Sequence, residues 1–108
     1  MSFEPNTDIT DAPQLLKAAV NDFMHHHPSA EVLHYDRREA GPMGSRRVEH
    51  TIYLASSIQF TTFSYPEYMD NVDRGWRVYR NSLYDRDIQR FVVLSPALRT
   101  FVNSPERD

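Results

Sequence analysis

An alternation of apolar and polar residues in the middle of the chain places the tightest limit on its fold. From residue 48 to residue 60 the even-numbered positions are mainly apolar and the odd-numbered positions mainly polar. The even-numbered residues are Val48, His50, Ile52, Leu54, Ser56, Ile58 and Phe60. A period of two is typical of strands that bury one face, and the small residues at positions 55–57 indicate a bulge or a tight turn. The segment therefore predicts two antiparallel strands.

Neighbouring segments extend this pattern into a sheet. The stretch AEVLHYDRR at residues 30–38 has strand character, and the turn-rich EAGPMGS at residues 39–45 joins it to RRVEHTIYLAS at residues 46–56. A third strand is expected in IQFTTF at residues 58–63. We therefore expect two or three consecutive antiparallel strands with one buried face.

A helix is expected before the sheet, in DAPQLLKAAVNDFMHHHP at residues 11–28. Asp11 and Gln14 have the spacing of a capping box, with a proline in the first turn, and a second proline ends the segment. Its apolar face is formed by Leu16, Val20 and Phe23. Three consecutive histidines fall in the last turn. Because consecutive helical residues point about 100° apart, these histidines cannot jointly face one metal ion, and we interpret them as a helix end.

A second helix is expected over residues 65–84. Ser64 and Glu67 form a Ser-x-x-Glu capping box, and a proline lies between them. Apolar residues then recur at helical spacing, at Met69, Val72, Trp76, Tyr79 and Leu83. Residues 88–94 fit either a helix or a buried strand, and Ser95 begins a short helix.

The predicted fold class is α+β, in a single domain over residues 11–103. It consists of an N-terminal helix, an antiparallel sheet of two to three strands, the amphipathic helix at 65–84 and a helical C-terminal segment. Residues 1–10 are expected to form a flexible arm and residues 104–108 a solvent-facing tail.

The amino-acid composition excludes several classes of functional site. The 108-residue chain has no cysteine, which excludes disulfides and thiolate metal sites, and its three glycines leave no glycine-rich phosphate loop. The first ten residues lack the basic and apolar regions of a signal peptide, and no apolar run is long enough to span a bilayer. These features predict a cytoplasmic protein without a membrane partner, a cofactor or a recognisable catalytic motif.

Two further histidines are candidates for chemistry. If the first hairpin is symmetric about Pro42, His34 lies directly opposite His50, and the two rings could bind a metal or transfer protons. A one-residue slip would place Tyr35 opposite His50 instead. Structural histidines beside apolar strand residues are commoner, so the metal-site prediction is none, with His34 and His50 as weak candidates. Asp36 completes the acid–base set that we would expect if the protein were an enzyme.

Four arginines flank the first hairpin turn and are candidates for anion binding: Arg37, Arg38, Arg46 and Arg47. Their guanidinium groups repel one another unless an acidic group balances them. A hairpin of this kind can contact nucleic acid, which is one alternative function. The other interpretation is a solvated turn whose arginines pair locally with acids. The net charge of −3 favours the second.

The order helix–strand–strand–strand–helix, together with GPMGSRRVEHTIYL at residues 41–54, resembles the double-stranded-RNA-binding domain over about half of the chain. The resemblance implies an α-β-β-β-α fold and RNA contact through that family's usual positions. The chain departs from the pattern at two of these. An acidic segment at residues 66–73 replaces the family's lysine-rich helix start, and the histidine of the hairpin turn is missing.

Aromatic and arginine residues on or beside the predicted second helix are candidates for a protein interface, because Tyr, Trp and Arg are enriched in interface hot spots. The candidates are Tyr65, Tyr68, Trp76, Arg77, Arg80 and Tyr84. The leading hypothesis is a non-enzymatic protein–protein interaction module that binds another protein or itself as a dimer. It covers a small regulator, an inhibitor or an assembly factor, including phage accessory proteins such as anti-CRISPR-type inhibitors. The alternatives are nucleic-acid binding through residues 37–47 and a site at His34 and His50.

Overall fold

A computed structural model describes residues 5–41, 46–56, 59–68 and 78–82 of the chain. These residues form helix α1 (Gln14–His26) followed by strands β1 (Glu31–Ala40), β2 (Arg47–Ala55), β3 (Phe60–Tyr68) and β4 (Tyr79–Ser82). The strands make one antiparallel sheet in the order β1-β2-β3-β4. The predicted α+β class is confirmed in this form, with one strand more than the sequence predicted.

Helix α1 forms where the sequence predicts it, but it begins differently. Pro13 occupies the N-cap position with an extended ψ of 146°, and no side chain caps the helix. The capping role predicted for Asp11 is therefore wrong, because the helix starts at Gln14, two positions later than a cap at residue 11 requires. His25 and His26 lie in the last turn, as predicted, and the backbone N–H of His27 donates to the carbonyl of Phe23 at 2.9 Å.

The core lies between α1 and one face of the sheet. The predicted helix face of Leu16, Val20 and Phe23 is buried and packs with the inward side chains of the strands. The inward strand residues of this cluster are Tyr35, Ile52, Leu54, Phe63 and Tyr65. On β2 the even-numbered positions predicted to be buried are buried from Val48 to Leu54. The outer face of the sheet, directed away from α1, carries the odd-numbered side chains of β2.

The helix predicted for residues 65–84 is wrong at both ends. β3 runs on through Tyr68 and pairs with β2 along its whole length, while residues 79–82 form β4. A capping box stabilises a helix by about 1 kcal/mol, which is less than a nine-residue strand gains by pairing along β2 and burying Phe63 and Tyr65. Residues 69–77 and the predicted C-terminal helical segment lie outside the described residues.

Pro66 is compatible with β3 because of its position. It lies opposite Glu49 of β2, near the end of β3. Proline has no backbone N–H, so a strand accommodates it where the ladder does not use that donor. Strand β3 can therefore continue through Pro66, which the sequence predicts to lie in the first turn of a helix.

The N-terminal segment contacts the free edge of β1. The backbone N–H of Tyr35 donates to the carbonyl of Asn6 at 2.7 Å, and the N–H of Asn6 donates to Nδ1 of His34 at 2.9 Å. Two bonds thus hold Asn6 beside β1. The flexibility predicted for residues 1–10 and the domain boundaries stay predictions.

Candidate functional site

A groove on the outer face of the sheet is the main candidate site. It has a volume of about 480 Å³, within the range of small binding pockets. Its wall and floor are formed by Arg47, Glu49, Thr51, Ser64, Tyr65, Pro66, Tyr68 and Tyr79. The strand pleat explains this composition, because alternate residues of β2 and β3 point to the same face. The side chains that alternate with the apolar core residues therefore come together here.

Two tyrosines give the groove its aromatic surface. Tyr68 lies opposite Arg47 at the end of β3, and Tyr79 lies opposite Ser64 at the start of β4. The side chain of Tyr79 is 51% exposed, which is unusual for a large aromatic residue of a sheet. A tyrosine offers contact area from its ring and a hydrogen bond from its hydroxyl, so the half-exposed Tyr79 is suited to binding.

An arginine–glutamate–arginine cluster forms the charged end of the groove. Arg47 Nε donates to Glu49 Oε1 at 3.0 Å, and Arg38 Nε lies 3.4 Å from Glu49 Oε2. Arg47 and Glu49 are only 29% and 30% exposed. The exposed Arg38 reaches the same carboxylate from the neighbouring strand. The single carboxylate therefore holds two guanidinium groups at the groove.

The four arginines predicted to bind anions do not form one uncompensated cluster. Arg38 and Arg47 pair with Glu49, and Arg46 pairs with Glu39 at 3.0 Å on an exposed part of the hairpin. Arg37 is exposed and lies opposite His50 in the register; it makes no ion pair with any residue that the structure describes. Two local carboxylates, those of Glu39 and Glu49, thus pair with three of the four arginines, as the interpretation of a solvated turn expects.

The predicted cross-strand pair of His34 and His50 is wrong. His34 lies opposite Tyr53, and His50 lies opposite Arg37. The register shifts at a bulge between Val32 and His34, and the hairpin closes at Ala40 and Arg47 rather than symmetrically about Pro42. The unbroken register from His34–Tyr53 to Ala40–Arg47 sets the two histidines on opposite faces.

His34 packs near Tyr53 on the outer face, while His50 is buried on the α1 face, 3% exposed. Asp36 lies opposite Thr51, a residue of the outer-face groove. The three residues proposed as an acid–base set are therefore not brought together.

His50 instead forms the centre of a buried chain of hydrogen bonds that sequence reasoning missed. Its Nδ1 lies 2.7 Å from Tyr35 Oη, and its Nε2 lies 3.1 Å from Glu67 Oε1. A neutral ring protonated on Nε2 satisfies both contacts, because Tyr35 then donates to Nδ1 and Nε2 donates to Glu67. Glu67 is half-exposed and Tyr35 is buried.

In a nucleophilic triad the reacting hydroxyl must be accessible and the orienting acid is the buried member. The hydrogen-bonded series Tyr35–His50–Glu67 has the reverse order, since the hydroxyl of Tyr35 is buried and the carboxylate of Glu67 reaches solvent. Its geometry suits holding β1, β2 and β3 together rather than catalysis.

Burial raises the pKa of Tyr35 and of Tyr65 above the ordinary 10.0, and for Tyr65 the Glu67 carboxylate adds to the effect. Because the folded protein holds these protons more tightly than the unfolded chain does, their contribution to stability is complete below pH 10 and is lost above it. We expect the free energy of unfolding to fall with rising pH above that value, by at most about 1.4 kcal/mol per pH unit for each tyrosine.

This expectation is checked by denaturant unfolding at a series of alkaline pH values. Tyr35→Phe should make the decline less steep, whereas Leu15→Ala, which removes no titratable group, should leave the slope unchanged. An equal slope in wild type and Tyr35→Phe would contradict the assignment.

The residues predicted to form an interface, where the structure describes them, lie in different parts of the fold. Tyr65 is 9% exposed and belongs to the core, although it also lines the groove, and its assignment to an interface stays a prediction. Tyr68 lines the groove. The Arg80 guanidinium lies 5.0 Å from the ring centroid of Phe23, beside the end of α1. Trp76, Arg77 and Tyr84 lie outside the described residues.

A second recess of about 420 Å³ lies where α1 ends against β3 and β4. His27 stacks on Phe23 with ring centroids 4.4 Å apart, and His26 Nδ1 lies 2.9 Å from the carbonyl oxygen of Asp22. These contacts assign the histidines to the end of the helix. Within the described ranges, no group of three or more potential ligands could hold a metal ion.

Comparison with known proteins identifies no relative of this chain. Comparison of the chain with protein-family models, with curated proteins and with solved structures finds no match. Among the described residues, no helix has the length and apolar character needed to cross a membrane. Arguments about function therefore depend on the geometry of the groove.

Proposed function

We propose that the protein is a non-enzymatic protein-binding module and that the outer-face groove is its contact surface. The observation that carries the proposal is the half-exposed Tyr79, which lines one recess with Tyr68 and Arg47. Tyrosine and arginine are the residue types that most often carry binding energy at protein interfaces. A role as a regulator, an inhibitor or an assembly factor requires such a surface.

The position of the groove supports this function because it is separate from the core. The face of the sheet that stabilises the fold is directed toward α1, while the groove residues other than the core residue Tyr65 lie on the other face. Side chains that lie on a rigid sheet lose little freedom when a partner binds, which favours affinity. A change of groove side chains should therefore alter binding without unfolding the protein.

Nucleic-acid binding is the weaker alternative. The arginines expected to contact phosphates are mostly paired with Glu39 and Glu49, so binding a phosphate backbone would require breaking these pairs. The net charge of −3 also opposes association with a polyanion.

The proposal is tested by affinity capture with a groove variant and a matched surface control. The variant Tyr68→Ala/Tyr79→Ala removes the aromatic surface, and Leu15→Ala removes a 52% exposed apolar side chain from α1. We expect wild type and Leu15→Ala to recover the same proteins and the groove variant to lose them, with about a tenfold or greater loss of affinity for a purified partner.

Circular dichroism and thermal unfolding show whether each variant remains folded. Light scattering of the isolated protein shows whether the recovered partner is a second copy of the chain. Equal recovery by wild type and a folded groove variant, or no partner in any sample, would overturn the proposal.

A further inference from the structure

The free edge of β1 is a second interaction surface, separate from the groove of the proposed function. Strand β1 is the first strand in the sheet order, so β2 lies on one side of it only. The backbone N–H of Tyr35 donates to the carbonyl of Asn6 and therefore points away from β2. Backbone directions alternate along a strand, and the register with β2 is unbroken over this part of β1. The N–H and carbonyl groups of Arg37 and Glu39 therefore point to the free edge as well.

The backbone of this edge is open to another strand. Among the described residues, the bond between Tyr35 and Asn6 is the only backbone bond on this side of β1, and Arg37 and Glu39 are both exposed. An exposed row of N–H and carbonyl groups is a template for strand pairing. Charged side chains protect such an edge against indiscriminate pairing, so a strand must carry the complementary charges to pair here.

Two features of β1 set the length of the open segment. At one end, Asn6 already occupies the edge beside Tyr35. At the other end, β1 stops at Ala40, and the positive φ of 96° at Gly41 turns the chain out of the strand. The open segment therefore consists of residues 36–40.

A second copy of the chain fits this segment in one antiparallel register. When residues 36–40 face the same residues of the partner, Arg37 lies opposite the partner's Glu39, and each such pair exchanges two backbone hydrogen bonds. The neighbouring registers are less favourable. One of them needs the N–H of Tyr35, which Asn6 holds, and the other places Glu39 opposite the partner's Glu39.

The side chains are complementary in this register. Arg37 makes no ion pair with any residue that the structure describes, and Glu39 pairs with the exposed Arg46. Side chains directly opposite in an antiparallel pair are about 5 Å apart at Cβ, which allows Arg37 to reach the partner's Glu39. Two-fold symmetry repeats the contact, so the dimer contains this ion pair twice.

One like-charge contact lies at the two-fold axis, where Arg38 faces the partner's Arg38. This contact opposes pairing. The Arg38 guanidinium is directed to Glu49 of its own chain at 3.4 Å, and the partner's Asp36 is its diagonal neighbour across the axis. A carboxylate therefore lies on each side of the guanidinium group and offsets the repulsion.

We propose that two copies of the chain pair β1 with β1 in an antiparallel arrangement centred on Arg38, which makes one sheet continuous across both copies. The groove lies over β2, β3 and β4, so this pairing leaves both grooves open to another protein.

Sedimentation equilibrium tests whether the dimer forms. Because five residues of each copy pair, the contact is small, and we expect a dissociation constant on the order of 100 μM. Measurements up to about 1 mM, ten times that value, should show a mass that rises toward twice that of the chain. A protein that stays monomeric over this range would overturn the inference and leave the function of the groove standing.

Charge reversal tests the register. Arg37→Glu and Glu39→Arg each place like charges opposite one another at two symmetric positions, so each should weaken the dimer about tenfold or more. The double variant Arg37→Glu/Glu39→Arg restores opposite charges and should dimerise within about threefold of wild type. Glu31→Arg makes the same change on β1 outside the open segment and should alter the dissociation constant less than about threefold. Circular dichroism confirms that each variant is folded.

Amide hydrogen exchange locates the contact. The amides of Arg37 and Glu39 should exchange more slowly above the dissociation constant than below it, because pairing covers them. The amide of Tyr35 is bonded to Asn6 within each copy and should exchange slowly at both concentrations.

Two outcomes would show that a dimer forms elsewhere. The first is a double variant that remains as weak as the single reversals, because opposite charges at the two positions then have no effect. The second is a dimer that survives Arg37→Glu but is lost in the folded groove variant Tyr68→Ala/Tyr79→Ala, which would place the contact between copies at the groove.

Discussion

Replacing Leu16 by alanine is expected to lower the free energy of unfolding by about 2–5 kcal/mol, while the same change at Leu15 costs less than about 1 kcal/mol. The two leucines are adjacent on α1, but Leu16 is fully buried and Leu15 is 52% exposed. Leu16 belongs to the core cluster with Ile52 and Phe63 on the sheet. Truncating it removes apolar contacts and leaves a cavity, because a packed interior relaxes only in part.

Chemical denaturation followed by circular dichroism gives both values. The adjacent positions make Leu15→Ala a matched control, since the substitution and the helix propensity change are the same. Equal destabilisation by the two variants would show that α1 does not rest on the sheet through the face containing Leu16. The assignment of the groove to the opposite face of the sheet would then lose its basis.

Local sequence signals were sufficient where they agreed with tertiary pairing. The spacing of Leu16, Val20 and Phe23 predicts the buried face of α1, and the alternation at residues 48–54 predicts which side chains of β2 are buried. Both patterns reflect the same physical demand, namely an apolar face on a regular element. These elements were predicted with the correct type and the correct buried face.

The prediction failed where a local signal competed with strand pairing. Ser64 and Glu67 have the spacing of a helix cap, yet they lie in β3 opposite Thr51 and Val48. This segment pairs with β2, and a short stretch of sequence contains no signal for that pairing. Apolar residues at helical spacing further along the chain reinforced the error.

The candidate groove could be predicted only in part. The odd-numbered residues of β2 are predicted to share one face, which places Arg47, Glu49 and Thr51 together. The position of Tyr79 beside Ser64 depends on β4, which the sequence did not predict. The bond between Tyr35 and His50 likewise depends on the register of the first hairpin, which pairs Ala40 with Arg47, because register decides which side chains meet.

The buried chain explains why a histidine occupies an apolar strand position. His50 interrupts the apolar series of β2 between Val48 and Ile52, and in the structure both of its ring nitrogens have partners. A buried polar group costs little when its hydrogen bonds are complete and much when one is missing. The stability of this part of the sheet should therefore depend on Tyr35 and His50 together.

We expect His50→Leu to lower the free energy of unfolding by about 2–3 kcal/mol, because it leaves the buried hydroxyl of Tyr35 without its acceptor. Tyr35→Phe should cost about 1–2 kcal/mol, since His50 Nδ1 then loses its donor. The double variant replaces both polar groups by apolar ones, so its cost should be smaller than the sum of the two by about 1 kcal/mol or more. Denaturant unfolding of the four proteins gives this interaction energy.

Glu67→Gln is the control at the outer end of the chain of bonds. Its amide oxygen can still accept from Nε2 of His50, and the group is 51% exposed, so we expect a loss below about 1 kcal/mol. Strict additivity of the Tyr35 and His50 effects would show that the bond between them contributes nothing. A loss at Glu67→Gln as large as that at His50→Leu would move the source of stability to the Glu67 carboxylate, since only its charge is removed there.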